Sequence, residues 1–80
     1  MRLPRDLSGE ELVRRLAKLG YETTRQRGSH VRLTRQGPEG EHNLTVPLHS
    51  SLRVGTLNAI LNDVAQDLGL EQSELLQLIL

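Results

Sequence analysis

Twice along this 80-residue chain the apolar residues change period, and that switch restricts its possible folds more than any other feature. Leu12, Leu16 and Leu19 recur at helical spacing, joined by Val13 and Ala17 on the adjoining face. Val31 and Leu33 then alternate with His30, Arg32 and Thr34. Leu44, Val46 and Leu48 alternate in the same way with Thr45, Pro47 and His49. Successive side chains of a strand point to opposite faces, so each run has one apolar and one polar side. The helical period returns with Leu57, Ile60, Leu61, Val64 and Leu68. Helices laid on the apolar face of the sheet would bury both sets at once. The expected class is therefore α+β, in the order α-β-β-β-α, with a three-stranded antiparallel sheet and a short extra C-terminal helix.

The ends of these elements carry their own signals. Ser8 precedes Glu11 by three positions, the spacing of a capping box, and Leu7 and Leu12 stand where a hydrophobic staple would form. Glu10–Arg14 and Glu11–Arg15 are i,i+4 pairs in the favourable orientation. With Gly20 as the stop, the first helix is expected over roughly 9–19. Tyr21 to Gln26 reads as a half-exposed strand, and Gly28-Ser29 as a turn. Residues 36–41 have the composition of a mobile loop that would also hold or flank His42. Pro47 lacks a ladder donor, which puts the third strand at an edge or marks its end. Gly69 would stop the second long helix, and residues 72–79 form a last short one. Its leucines exceed what one buried face needs, so the surplus would pack on the domain or meet another chain.

Eighty residues give one domain over 1–80 and leave no room for two independent cores. There is no Phe or Trp, so Leu, Ile and Val must supply nearly all the burial. Cysteine is absent, which removes disulfides and thiolate chemistry and fits a reducing compartment. No segment has the roughly 20 apolar residues of a membrane span, and no signal-peptide run opens the chain, so a cytoplasmic protein is expected. The formal net charge of zero hides an asymmetry. Residues 1–35 hold nine basic and four acidic residues, whereas 36–80 hold one and six. A positive N-terminal half suits a phosphate-backbone ligand, and an acidic C-terminal half suits a protein partner.

His30 is the leading candidate for chemistry. It follows Arg27-Gly28-Ser29 and shares the polar parity of Arg32. An imidazole can take a proton from a ribose 2′-hydroxyl and return one to a leaving oxygen. Attack of that 2′-oxygen on the adjacent phosphate requires no metal, the sequence offers no metal-ligand cluster, and no cofactor is expected. Arg25, Arg27 and Arg32 could hold the phosphate and oppose its growing charge. Gly28 permits a tight turn, and Ser29 could donate to a phosphate oxygen. The same residues also fit a plain hairpin end with a solvent-exposed histidine. His49 has the parity of Thr45 and could act as a second acid–base group, or it could simply order the Ser50-Ser51 link. Gly55-Thr56 opens the second long helix, where free amides could receive a phosphate or Thr56 could cap the helix. Arg2 and Arg5 could reach a partner or be merely solvated. Tyr21 could stack a base, though partial burial suits its position better. Asp63 and Asp67 share a helix face and read as solvated charge or a contact for a basic partner. His42 has no evident chemical role.

The ordered set Gly20-Tyr21, Arg27-Gly28-Ser29-His30, Val46-Pro47-Leu48-His49 and Gly55-Thr56-Leu57 through Ile60-Leu61 resembles the HicA family of bacterial toxin mRNA interferases. The resemblance covers nearly the whole chain. It implies a double-stranded-RNA-binding-like fold, endoribonuclease activity on mRNA, and a HicB-like antitoxin that masks the toxin, with room for a higher-order toxin–antitoxin complex. Carried over by motif, it makes His30 catalytic, with Gly28 and Ser29 beside it and His49 in a supporting place. Leu33 departs from the pattern, standing where an aromatic is common. A non-catalytic RNA-binding or protein-interaction module of the same fold is the alternative reading.

Overall fold

The computed structural model describes residues 6–80, and Arg2 and Arg5 lie outside them. Helix α1 spans Gly9–Ala17, strands β1, β2 and β3 span Glu22–Arg27, His30–Gly37 and Gly40–Pro47, and helices α2 and α3 span Val54–Leu68 and Gln72–Ile79. The strands form one antiparallel sheet in the order β1-β2-β3. The α+β expectation, with its extra terminal helix, is what the chain adopts.

Helix α1 starts where the capping signal lies, since Ser8 Oγ accepts the Glu11 N–H at 3.0 Å. The Glu11 carboxylate turns to Arg15, 3.7 Å away. Regular α-helix stops at Ala17, two residues earlier than expected, because the last turn tightens. Leu19 N–H bonds the Leu16 carbonyl, Gly20 N–H the Ala17 carbonyl and Tyr21 N–H the Leu16 carbonyl. With Gly20 at φ +97 this is a Schellman stop. Gly69, at φ +69, ends α2 by the same bonds to Gln66 and Ala65.

Val31, Leu33, Leu44 and Val46 are buried on the inner face of the sheet with Leu12, Leu16, Leu57, Leu61 and Val64 from the helices. On the other face Arg32 and Thr45 are exposed. The helices therefore cover one face only, and the polar parity of β2 and β3 is left open to water. Strand β1 differs from its half-exposed reading, as all six of its residues are exposed. It lies at the sheet edge, paired with β2 alone. Pro47 is the last residue of β3, itself an edge strand, where a missing donor costs no ladder bond.

The expected loop over 36–41 is a tight hairpin instead. Ladder pairing runs on through Gln36 with Glu41 and Gly37 with Gly40, leaving two residues at the tip. His42 consequently belongs to β3, opposite Arg35, on the inner face. There it meets Asp63 and Asp67 of α2, which are not merely solvated. His42 Nε2 lies 3.3 Å from Asp63 Oδ1, and its Nδ1 lies 4.0 Å from Asp67 Oδ1. Asp67 Oδ2 accepts from the Tyr21 hydroxyl at 2.6 Å and from Arg35 at 3.2 Å. Tyr21 is buried completely, and burial followed by its bond to Asp67 raises its phenol pKa far above the ordinary value.

Helix α3 begins with a reciprocal capping box between Glu71 and Glu74. Leu75, Leu76 and Ile79 join the core, and Arg15 of α1 donates to the Ile79 carbonyl at 2.6 Å. Most of the terminal leucine surplus is thus domain packing. Leu78 and Leu80 stay exposed, at 58% and 53%. Among the described residues no helix is long and apolar enough to cross a membrane.

Candidate functional site

The turn between β1 and β2 sets the position of His30. Gly28 has φ +60 while Ser29 keeps a negative φ, the pattern of a two-residue hairpin turn with glycine first. Arg27 therefore pairs directly with His30. Tight reversal leaves His30 exposed at the start of β2, on the uncovered face.

A β-bulge brings the arginines to the same face. Thr23 pairs with Leu33, yet Arg25 pairs with Arg32, so Thr24 and Arg25 together oppose one residue of β2. The extra residue reverses the parity of everything after it on β1. In an unbroken ladder Arg25 would sit opposite Val31, on the core side. With the bulge, Arg25 and Arg27 stand across from Arg32 and His30. The Thr24 hydroxyl is held in the bulge, 2.8 Å from Thr34 Oγ1 and 3.4 Å from the Arg32 carbonyl.

These side chains border a shallow groove of about 340 Å³, lined by Arg25, Arg27, His30, Arg32, Asn43, Leu44 and Thr45. Three guanidinium groups around one imidazole make a cationic cleft with no acidic residue in its lining. Like charges so close are tolerable because all three arginines are exposed and solvated, and an anion entering the groove would relieve their repulsion. The geometry can bind a phosphodiester and place a proton acceptor beside it.

The remaining candidates fall elsewhere. Ser29 is exposed in the turn, and its carbonyl accepts the Leu48 N–H at 2.6 Å, which carries β3's pairing one residue past its end. His49 comes next; its ring is exposed, and its carbonyl accepts the Gly9 N–H at 2.9 Å. It stands beside the His30 turn but does not line the groove. Thr56 is the third residue of α2, whose N-cap is Arg53, so Thr56 does not cap the helix. Nor does it line the groove. Tyr21 is buried and offers no ring to a base.

Asn43 and Thr45 line the groove without having been singled out in the sequence. The signal is there, for both share the polar parity of β3, facing Thr34 and Arg32. Gly9 also escapes a reading by pattern. A Cβ there would run into the Pro47 carbonyl and come within 2.9 Å of Leu48 Cα, so a glycine is needed where α1 crosses the end of β3.

No curated protein and no solved structure matches the chain. A family model described as the HicA toxin of bacterial toxin–antitoxin systems matches residues 9–70, from the first residue of α1 to just past the stop of α2. That span contains the turn, the bulge, the groove and both exposed histidines, and a match over most of the chain shows that it belongs to the HicA toxin family.

Proposed function

We propose that this toxin is an endoribonuclease that cuts mRNA through 2′-oxygen attack, with His30 as its acid–base group and without a metal ion. The observation that carries this reading is an exposed imidazole at the mouth of a groove walled by Arg25, Arg27 and Arg32. His30 takes the proton from the 2′-hydroxyl as that oxygen bonds to the adjacent phosphorus. The phosphorus–5′-oxygen bond breaks, and the departing oxygen is protonated, leaving a 2′,3′-cyclic phosphate and a 5′-hydroxyl end. The arginines oppose the charge that builds on the non-bridging oxygens. His49, beside the turn on the chain leaving β3, is the candidate for the second proton-transfer group. Ser29 and the Gly28 backbone would steady the phosphate.

A toxin of this kind acts against cytoplasmic mRNA and is held in check by an antitoxin, here a HicB-like protein. Covering the groove would suffice to silence it. Thr56, at the first turn of α2, is a second place where backbone amides could receive a phosphate.

The test is cleavage of a single-stranded RNA in EDTA by the wild type and by His30→Ala, each with and without the candidate antitoxin. Cleavage by the wild type alone, suppressed by the antitoxin and blocked by a 2′-deoxy substitution at the scissile nucleotide, is the expected result. Equal cutting by His30→Ala would overturn the catalytic role, and RNA binding without scission would favour the non-catalytic reading.

A further inference from the structure

Beyond the groove at His30, the open face of the sheet carries a second one. It holds about 330 Å³ and is lined by Thr24, Arg25, Arg32, Thr34, Gln36, Glu41 and Asn43. Arg25, Arg32 and Asn43 border both grooves, so the two form one track along β2. The chemistry changes along it. Cationic groups surround His30, whereas the far end presents amides, hydroxyls and one carboxylate.

Those polar groups are joined in a directed chain. Glu41 can only accept, and it takes bonds from Asn43 Nδ2 at 3.0 Å and from Gln36 Nε2 at 3.3 Å. Its charge fixes which way the Asn43 amide points, so Asn43 Oδ1 accepts from the Thr34 hydroxyl at 2.7 Å. Thr34, having given its proton to Asn43, accepts from Thr24, 2.8 Å away. The side chains are thus set in place before any ligand arrives. One Asn43 amide proton and the outer lone pairs of Glu41 remain available to a ligand.

A carboxylate on this face repels phosphate, which the arginines at the other end attract. A strand lying on the track would therefore put its backbone by the arginines and a base by Glu41. Guanine alone presents two adjacent donors, N1–H and N2–H, on its Watson–Crick edge, with the O6 acceptor beside them. A carboxylate matches the donors and the Asn43 amide matches O6. No aromatic side chain lines this second groove to stack a base, so hydrogen bonding and the guanidinium planes of Arg25 and Arg32 must hold it.

We infer that this second groove is a base-reading subsite that prefers guanine, with Glu41 and Asn43 as its specificity-determining residues. The inference rests on the proposed RNA-cleaving role of the sheet face. Glu41 stands opposite Gln36, six positions along β2 from His30, about 20 Å of strand. A base held on the Glu41 carboxylate is therefore outside the dinucleotide that is cut.

The test is the affinity of short single-stranded RNAs for His30→Ala, so that no substrate is consumed, comparing a guanine-containing oligonucleotide with versions carrying A, C or U in its place. About tenfold tighter binding of the guanine form is expected. Adding Glu41→Gln or Asn43→Ala should bring that ratio close to one, with circular dichroism showing both variants folded. Wild-type cut sites mapped on a long RNA should show guanine at a fixed offset, abolished in Glu41→Gln. If RNA is bound and cut but no base is preferred, or the preference survives Glu41→Gln, the subsite is refuted while the cleavage reading stands. Absence of RNA binding by every form would overturn both.

Discussion

Gly9 and Pro47 approach so closely through their backbones that the single added carbon of an alanine at Gly9 would clash with the Pro47 carbonyl oxygen. The contact locks the start of α1 to the end of β3, and the Gly9 N–H adds a bond to His49 just beyond. The position of His49 relative to the His30 turn depends on that lock.

Gly9→Ala should therefore destabilise the protein, because backbone on both sides must move. A loss of about 1–3 kcal/mol is expected from overpacking of this kind. Urea unfolding followed by circular dichroism measures it. A variant as stable as the wild type would show that α1 shifts away from β3 without penalty.

His30 is exposed and starts an intact strand, so His30→Ala should remove cleavage and leave the fold alone. A rate loss of about 10²–10⁴-fold is expected for an acid–base group. His49→Ala should cost less, because its ring lies outside the groove. Initial rates on one RNA, with matched thermal melts, separate chemistry from stability.

Arg25→Ala, Arg27→Ala and Arg32→Ala should each weaken RNA binding, and Arg27→Ala, which lies outside the second groove, should do so without altering base preference. On a single strand, the slope of log affinity against log salt should become shallower by about 0.7 for each phosphate no longer neutralised. Binding isotherms across a salt series would show it. An unchanged slope for all three would mean that the RNA lies elsewhere.

Tyr21 gives a pH signature. Its folded pKa is raised by burial and by its bond to Asp67, while in the unfolded chain it ionises near the ordinary value of about 10. Below that pH both states keep the proton and the native bond contributes in full. As pH climbs past it the unfolded state loses protons first, so stability falls. Tyr21→Phe should be less stable by about 1 kcal/mol at neutral pH. That gap should narrow above pH 10, as read from denaturant midpoints at several pH values.

How much of this is legible without coordinates differs from element to element. The stops at Gly20 and Gly69, the Ser8 cap and the turn at Gly28-Ser29 are local, since each depends on a few consecutive residues whose geometry has one cheap solution. The alternation of Val31, Leu33, Leu44 and Val46 likewise reports the buried face, because burial of one parity is a property of the strand itself. The hairpin tip is where local composition misleads. Gln36, Gly37, Gly40 and Glu41 look like a loop, yet pairing across the two strands outweighs weak local preference.

The amino-acid order alone decided which faces would be apolar, where α1 begins and which glycines stop the two longer helices, and that His30 would follow a tight turn into water. Tertiary structure decided the rest. The bulge at Thr24 moved Arg25 and Arg27 to the side of His30, a matter of ladder register that no single strand carries. Asp67 met Tyr21 and Arg35, and Gly9 met Pro47, across 46, 32 and 38 positions of chain. Such meetings follow only once the helices have settled on the sheet, because close approach in space is set by packing the whole core and not by neighbouring residues.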